Sequence, residues 1–200
     1  MIRVFIADDE TMIRTAMETL LGMEEDIEIL PGVADGQTAV AAAQQLQPDV
    51  CVLDLEMPEL DGVEAARQIN RTVATKVIIC TRHARPGVLR RALAEKVAGF
   101  VPKSTPVERL AGVIREVMAG GRYIDADIAA TALTAEHCPL TDRELDVLRA
   151  GRDATTIAQI AERLNLAQGT VRNYVSTAMQ KLGVSTRTEA AQYAWEQGWI

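Results

Sequence analysis

Residues 50–62 read VCVLDLEMPELDG, and the fold turns on this stretch. Val50–Leu53 is an unbroken apolar run of the length of a buried strand. Asp54 follows it directly, and Glu56 stands two residues on. A carboxylate beside a core is costly unless it is paired, hydrogen-bonded or metal-bound. Asp54 is therefore expected to be paired, hydrogen-bonded or bound to a metal.

Working outward, the same strand-then-helix pattern recurs. Strands are predicted at Arg3–Ala7, Ile27–Val33, Val50–Leu53, Lys76–Thr81 and Gly99–Pro102. Helical spacing of apolar residues follows each, at Thr11–Leu21, Gly36–Leu46, Val63–Asn70, Val88–Lys96 and Val107–Met118. Five such units predict an α/β fold with a five-stranded parallel sheet and helices on both faces. Ligands of such sheets sit at the carboxyl ends of the strands. Asp8 and Asp9, Asp54, Thr81 and Lys103 each fall at the end of a different predicted strand. Three carboxylates gathered there need a cation, and Mg²⁺ suits oxygen ligands shared with phosphate. A lysine and a hydroxyl beside it complete a phosphoryl-binding site, with Asp54 as the nucleophile that forms an acyl phosphate.

From Leu140 onward the pattern is wholly helical. Thr141 with Glu144, and Thr186 with Glu189, are capping boxes that open two helices. Asn165 suits a tight corner and Gly183 a helix end. Ile157, Ile160, Ala161 and Leu164 form one stripe; Val171, Val175, Ala178 and Leu182 form the next. Four short helices with a compact corner predict a helix-turn-helix. The face opposite Val171 and Val175 carries Arg172, Asn173, Ser176 and Gln180, side chains able to bond base edges and phosphates. Residues 120–138 hold no strong pattern and are read as a linker, with a short helix around Asp127–Thr134.

"FIADDE", "DLEMPELDG", "IICT" and "GFVPK" resemble, in order and spacing, the receiver domain of two-component response regulators. "PLTDRELDVL", "IAERL" and "GTVRNYVSTAMQKLGVSTRTEA" resemble the NarL/LuxR-type output domain. The resemblance implies a flavodoxin-like (CheY-like) receiver over residues 1–119, the linker over 120–138 and a LuxR-type helix-turn-helix over 139–200. It implies phosphorylation of Asp54 by a sensor histidine kinase. Asp9, Asp54 and the Glu56 main-chain carbonyl would hold Mg²⁺, with Asp8 acting through water. Thr81 and Lys103 would grip the phosphoryl group, and Phe100 would be the aromatic switch that follows Thr81. Gln168–Leu182 would be the recognition helix, with Arg172, Asn173 and Ser176 reading bases and Thr170, Tyr174 and Lys181 touching phosphates. Thr186–Gln197 would be the output domain's dimer helix. The implied partners are the kinase, an operator in double-stranded DNA, a second copy on phosphorylation, and RNA polymerase. "TRHARPG" and "GTVRNYVS" are similar to the DesR-like subgroup, regulators of membrane-lipid desaturase genes.

The chain departs from the pattern in places. Arg82 follows Thr81 where a smaller residue is usual. Glu56 and His83 stand where the family tunes dephosphorylation. Pro102 lies inside the fifth predicted strand, tolerable if that strand is an edge. Ser104 replaces a common proline, Ala154 a glycine, and Gln159 a glutamate.

Charge is uneven. Residues 1–120 carry 13 Lys and Arg against 18 Asp and Glu, and residues 139–200 carry 7 against 7. A neutral DNA-binding unit gains little from phosphate neutralisation, so dimerisation on two half-sites is expected to supply affinity. Receiver contacts for that dimer are sought on Thr11–Leu21 and Val107–Met118. No membrane span or signal-peptide layout is read, which predicts a cytoplasmic protein. Three widely spaced cysteines, Cys51, Cys80 and Cys138, suit reduced thiols. Two other functions compete. An aspartyl-nucleophile phosphatase would want a second Asp where Glu56 stands, so the chain is read as no enzyme beyond its own phosphotransfer and dephosphorylation. A phosphorylation-independent regulator would use the receiver only as a dimerisation module.

Overall fold

A computed structural model describes residues 1–82, 85–133, 137–153 and 156–200. His83, Ala154 and the Thr134 end of the expected linker helix lie outside the described residues. The chain divides into two compact units, Met1–Ala84 with Leu89–Leu133, and Arg85–Val88 with Thr134–Ile200. Among the described residues no helix is long and apolar enough to cross a membrane.

The first unit alternates as expected. In chain order its elements are β1 (Ile2–Ala7), α1 (Thr11–Leu21), β2 (Ile27–Ile29), α2 (Gly36–Leu46), β3 (Val50–Asp54), α3 (Gly62–Thr72), β4 (Lys76–Thr81), all of α4 (Pro86–Ala94) beyond its first turn, β5 (Gly99–Pro102) and α5 (Val107–Met118), then β6 (Tyr123–Ile124) and α6 (Ala126–Leu133). The strands are parallel, in the order β2-β1-β3-β4-β5-β6. Val4, Ile6, Val50, Val52, Ile78, Cys80 and Val101 pack with α1 and α5 on one face. Phe5, Cys51, Leu53, Ile79 and Phe100 have the opposite parity and are equally buried. Burial on both faces is why these strands read as continuous apolar runs. The chain steps from β1 outward to β2, then back across to β3, so a topological switch point opens between β1 and β3.

Two boundaries and the strand count differ from expectation for identifiable reasons. β2 ends at Ile29 because the pairing slips by one residue: Leu30 N–H donates to the Val4 carbonyl at 2.9 Å, but Val33 rather than Gly32 donates to the Ile6 carbonyl, at 3.2 Å, with Pro31 on the open edge between them. α4 starts at Pro86, the first-turn position where a missing N–H costs nothing. The sheet has six strands, which corrects the expected five. Gly120 takes a left-handed φ of +88° after α5 and turns the chain back. Tyr123 N–H then donates to the Ala98 carbonyl and Asp125 N–H to the Phe100 carbonyl, both at 3.0 Å. β5 is thus not an edge strand, but β6 covers only Gly99 and Phe100 and stops short of Pro102. The Asp125 carboxylate caps α6, accepting from Asp127 N–H at 3.0 Å.

The second unit contains α7 (Asp142–Asp153), α8 (Ile157–Arg163), α9 (Gln168–Leu182) and α10 (Arg187–Glu196). Asn165 adopts φ +53° at the corner before α9, and Gly183 φ +67° at its end. One apolar cluster joins Leu140, Leu148, Ala178, Ala190, Ala194, Trp199 and Ile200. A second joins Val147, Ile160, Ala161, Val171 and Val175, so α9 is held from both sides. Thr186 and Glu189 form the expected capping box. A third box, Thr156 with Gln159, opens α8 and makes structural use of the glutamine that departs from the family pattern.

The turn after β3 depends on a close backbone approach. Gly62 N–H donates to the Leu55 carbonyl at 2.9 Å, and a Cβ at Gly62 would overlap the Asp54 carbonyl oxygen. Gly62→Ala is expected to destabilise the protein by about 1–3 kcal/mol, since backbone rather than a flexible side chain must yield. Urea denaturation followed by circular dichroism tests this; an unchanged midpoint refutes it.

Candidate functional site

The switch point is occupied by carboxylates. Asp8, Asp9 and Glu10 follow β1, Asp54 ends β3, Thr81 ends β4, and Lys103 follows β5. Each is delivered by a strand whose apolar body anchors it in the core. The Lys103 ammonium sits among them, 2.8 Å from Asp8 Oδ2, 3.0 Å from Asp54 Oδ2 and 3.0 Å from Glu10 Oε1. The lysine side chain is 6% exposed, Asp8 0% and Asp54 4%. Burial favours neutral lysine, but the surrounding carboxylates of Asp8, Glu10 and Asp54 prevail and hold its pKa above the ordinary value. Burial pushes the Asp54 carboxyl up, Lys103 pulls it back only partly, and the Asp8 charge adds to the rise. Glu10 moves the other way, because its hydrogen bond to Lys103 holds its carboxyl below the usual range.

A cavity of about 220 Å³ opens here, lined by Asp9, Glu10, Asp54, Glu56, Arg82 and Lys103. Asp8 Oδ1 accepts from Glu10 N–H at 2.9 Å. Asp8 Oδ2 lies within ion-pair range of Lys103, yet off the line a hydrogen bond requires, so this buried oxygen accepts none. Carboxylate oxygens of Asp8, Asp9 and Glu10 all lie within 4.8 Å of one another. A buried acceptor without a hydrogen bond, in a site with more carboxylates than cations, fits a hard divalent cation.

The expected residues do not all meet in that cavity. Asp9, Asp54, Glu56 and Lys103 line it. Asp54 turns its Oδ2 to Lys103, while the close carboxylate trio is Asp8, Asp9 and Glu10. Thr81 is 1% exposed and lines a neighbouring cavity of about 610 Å³ with Arg82, Pro102, Tyr123 and Ile128. Its carbonyl accepts from Lys103 N–H at 2.8 Å, which ties the hydroxyl residue to the lysine through backbone. Phe100 is 1% exposed, paired with Ile79 in the sheet. Glu10 is the site residue the sequence reading passed over, although it is the third acid of a visible run.

On α9 the apolar side, Val171, Val175 and Ala178, is buried. Arg172, Asn173, Ser176 and Gln180 are exposed together, as their spacing requires. Thr170 and Tyr174 are half-buried at the margin of that face, Tyr174 against the Val147–Ile160 cluster. Lys181 has a partner of its own: its ammonium lies 2.7 Å from Glu144 Oε2. Glu144 also accepts from Thr141 N–H at 2.7 Å and donates its own N–H to the Thr141 hydroxyl, completing the first expected capping box.

Two family models match this chain. The response regulator receiver domain matches residues 4–115, and the luxR family of bacterial regulatory proteins matches residues 138–194. The chain therefore belongs to the two-component response regulators, in the branch that joins a receiver to a LuxR-type DNA-binding domain. It is 42% identical to the transcriptional regulatory protein DesR of Bacillus subtilis and 40% identical to the transcriptional regulatory protein YvfU of the same organism, each alignment covering all of both chains. This agrees with the DesR-like subgroup expected from "TRHARPG" and "GTVRNYVS". The response regulator RcsB, solved in complex with DNA, shares the fold at a TM-score of 0.64 and 23% identity, over 98% of each chain. The relatives are transcription regulators.

The Glu144 carboxyl carries a testable pH signature. Burial raises its pKa, but Lys181 and the Thr141 amide and hydroxyl outweigh this and hold it below the ordinary 4.5. A carboxylate depressed by folding stabilises the protein above its unfolded pKa, and that contribution is lost as pH falls through the folded value. Below about pH 4.5, wild type is expected to lose thermal stability more steeply than Glu144→Gln. Parallel melting-temperature curves for the two proteins refute this.

Proposed function

We propose that Asp54 is the phosphoacceptor of this chain and that its phosphorylation controls sequence-specific DNA binding through α9. The supporting observation is the Asp54 carboxylate at the mouth of a buried parallel sheet, 3.0 Å from Lys103 and facing a cavity with excess negative charge. One Asp54 oxygen attacks the phosphorus of a kinase phosphohistidine; the P–N bond breaks and the imidazole leaves with the electron pair. Asp9, Asp54 and the Glu56 carbonyl would hold Mg²⁺, with Asp8 reached through water; the metal supplies charge neutralisation for the phosphoryl oxygens. Lys103 keeps its charge throughout and binds the transferred group, and the Thr81 hydroxyl joins it there. Phe100 follows Thr81 as the switch.

Residues 1–119 act as the receiver and 139–200 as the output domain; 120–138 connect them, and the first part of that connection adds β6 to the receiver sheet. Arg172, Asn173 and Ser176 read base edges, and Thr170, Tyr174 and Lys181 lie where phosphates pass. Lys181 must share its charge with Glu144, so Arg172 is the main cation of this face. That scarcity supports binding as a dimer on two half-sites. Met12 at 82%, Leu20 at 45% and Met118 at 38% exposure support a receiver contact on α1 and α5, and α10 serves as the output dimer helix. A cytoplasmic site, a membrane-linked sensor kinase and RNA polymerase complete the reading.

Incubation with acetyl phosphate and Mg²⁺ is expected to add one phosphoryl group to wild type and none to Asp54→Ala by intact mass; adducts on both refute the acceptor assignment. Phosphodonor is expected to tighten operator binding, whereas unchanged affinity favours a receiver used only for dimerisation. Arg172→Ala/Asn173→Ala is expected to weaken specific binding by about 1–3 kcal/mol for each lost base contact. Titration on operator and scrambled duplex separates this from a general loss of DNA affinity.

A further inference from the structure

We propose that Arg82 is a second phosphoryl-binding cation, held in reserve across the pocket mouth by Glu10 until Asp54 is phosphorylated. This rests on the phosphoacceptor reading of Asp54. Glu10 uses its two oxygens on two different cations, Oε1 on Lys103 at 3.0 Å and Oε2 on the Arg82 guanidinium. It thereby links the end of β1 to the residue after β4 and to the residue after β5. Arg82 and Glu10 both line the 220 Å³ cavity that Asp54 faces. Arg82 remains 54% exposed and Glu10 34%, so the contact closes the mouth of the pocket rather than its floor.

Phosphorylation changes the balance at that mouth. An acyl phosphate brings about two negative charges and three acceptor oxygens into a cavity already crowded with carboxylates. Glu10 then faces a like charge, and a guanidinium fork matches phosphate better than it matches a single carboxylate oxygen. Arg82 leaves Glu10 and takes a phosphoryl oxygen from the solvent side, while Lys103 holds another from within. The unusual size at position 82 is thus a functional group rather than an obstruction. Hydrolysis ends the state when a water oxygen attacks phosphorus, the P–O bond to Asp54 breaks with its electron pair staying on the regenerated carboxylate, and both water protons leave with the dihydrogen phosphate. Arg82 over the phosphoryl group slows that attack.

The two ends of one ion pair give opposite signatures. Full-length wild type, Asp54→Ala, Arg82→Ala, Arg82→Lys and Glu10→Gln are incubated with acetyl phosphate at saturating Mg²⁺. Uptake is followed by intact mass, and decay is followed after removal of the donor. Arg82→Ala is expected to take up phosphoryl about fivefold more slowly and lose it faster, the modest size reflecting a half-exposed charge. Arg82→Lys is expected to recover part of the difference. Glu10→Gln frees the guanidinium and is expected to speed uptake and prolong the adduct. If Arg82→Ala and Glu10→Gln shift the rates in the same direction, the pair is only a structural latch and the proposal falls. It falls as well if Arg82→Ala behaves as wild type. Absence of any Asp54-dependent adduct on wild type overturns the phosphoacceptor reading, and this one with it.

Discussion

One buried ammonium holds the working end of the receiver together. Lys103 draws Asp8, Glu10 and Asp54 to within 3.0 Å, from the ends of β1 and β3. Without it, three carboxylates would face one another in a low-dielectric pocket and raise one another's pKa. The lysine can stand there only because β5 is bonded to β4, with Lys103 N–H on the Thr81 carbonyl. Backbone pairing thus fixes the register of the cation, and the cation fixes the anions. The rest of the site, from the orphaned Asp8 oxygen to the Glu10 clamp, elaborates that arrangement.

The second unit solves a different electrostatic problem. It has no surplus of positive charge, and its best-placed lysine is committed to Glu144 inside the domain. Buried Glu144 knits the start of α7 to the end of α9, so the same ion pair that withholds charge from the surface also ties the two helices together. Apolar contacts on both flanks of α9 do the remainder. Its exposed row of Arg172, Asn173 and Ser176 carries one positive charge and several hydrogen-bonding groups.

The pattern of what sequence made legible follows the physics. Strands such as Val50–Asp54, buried on both faces, leave long apolar runs, and acids or lysines directly after them stand out. Helix periods and the Thr141 and Thr186 boxes were equally visible. β6 was not, because two residues carry no period, and its existence depends on the distant Ala98 and Phe100 carbonyls. Glu10 reads as an ordinary residue at the start of a helix until Lys103 and Arg82 are seen to converge on it. Gln159 reads as a deviation until its side chain is found closing a box with Thr156.

The two ends of the sheet share a property with consequences for the protein's behaviour at high concentration. A sheet margin with free N–H and C=O groups is a template for pairing with other chains. Here β2 is three residues long and followed by Pro31, and the opposite margin is β6, two residues long, which covers the Gly99–Phe100 stretch of β5. The hydrophobic strands that carry the carboxylate pocket are all interior. The protein's most aggregation-prone backbone is thereby withheld from pairing with other chains.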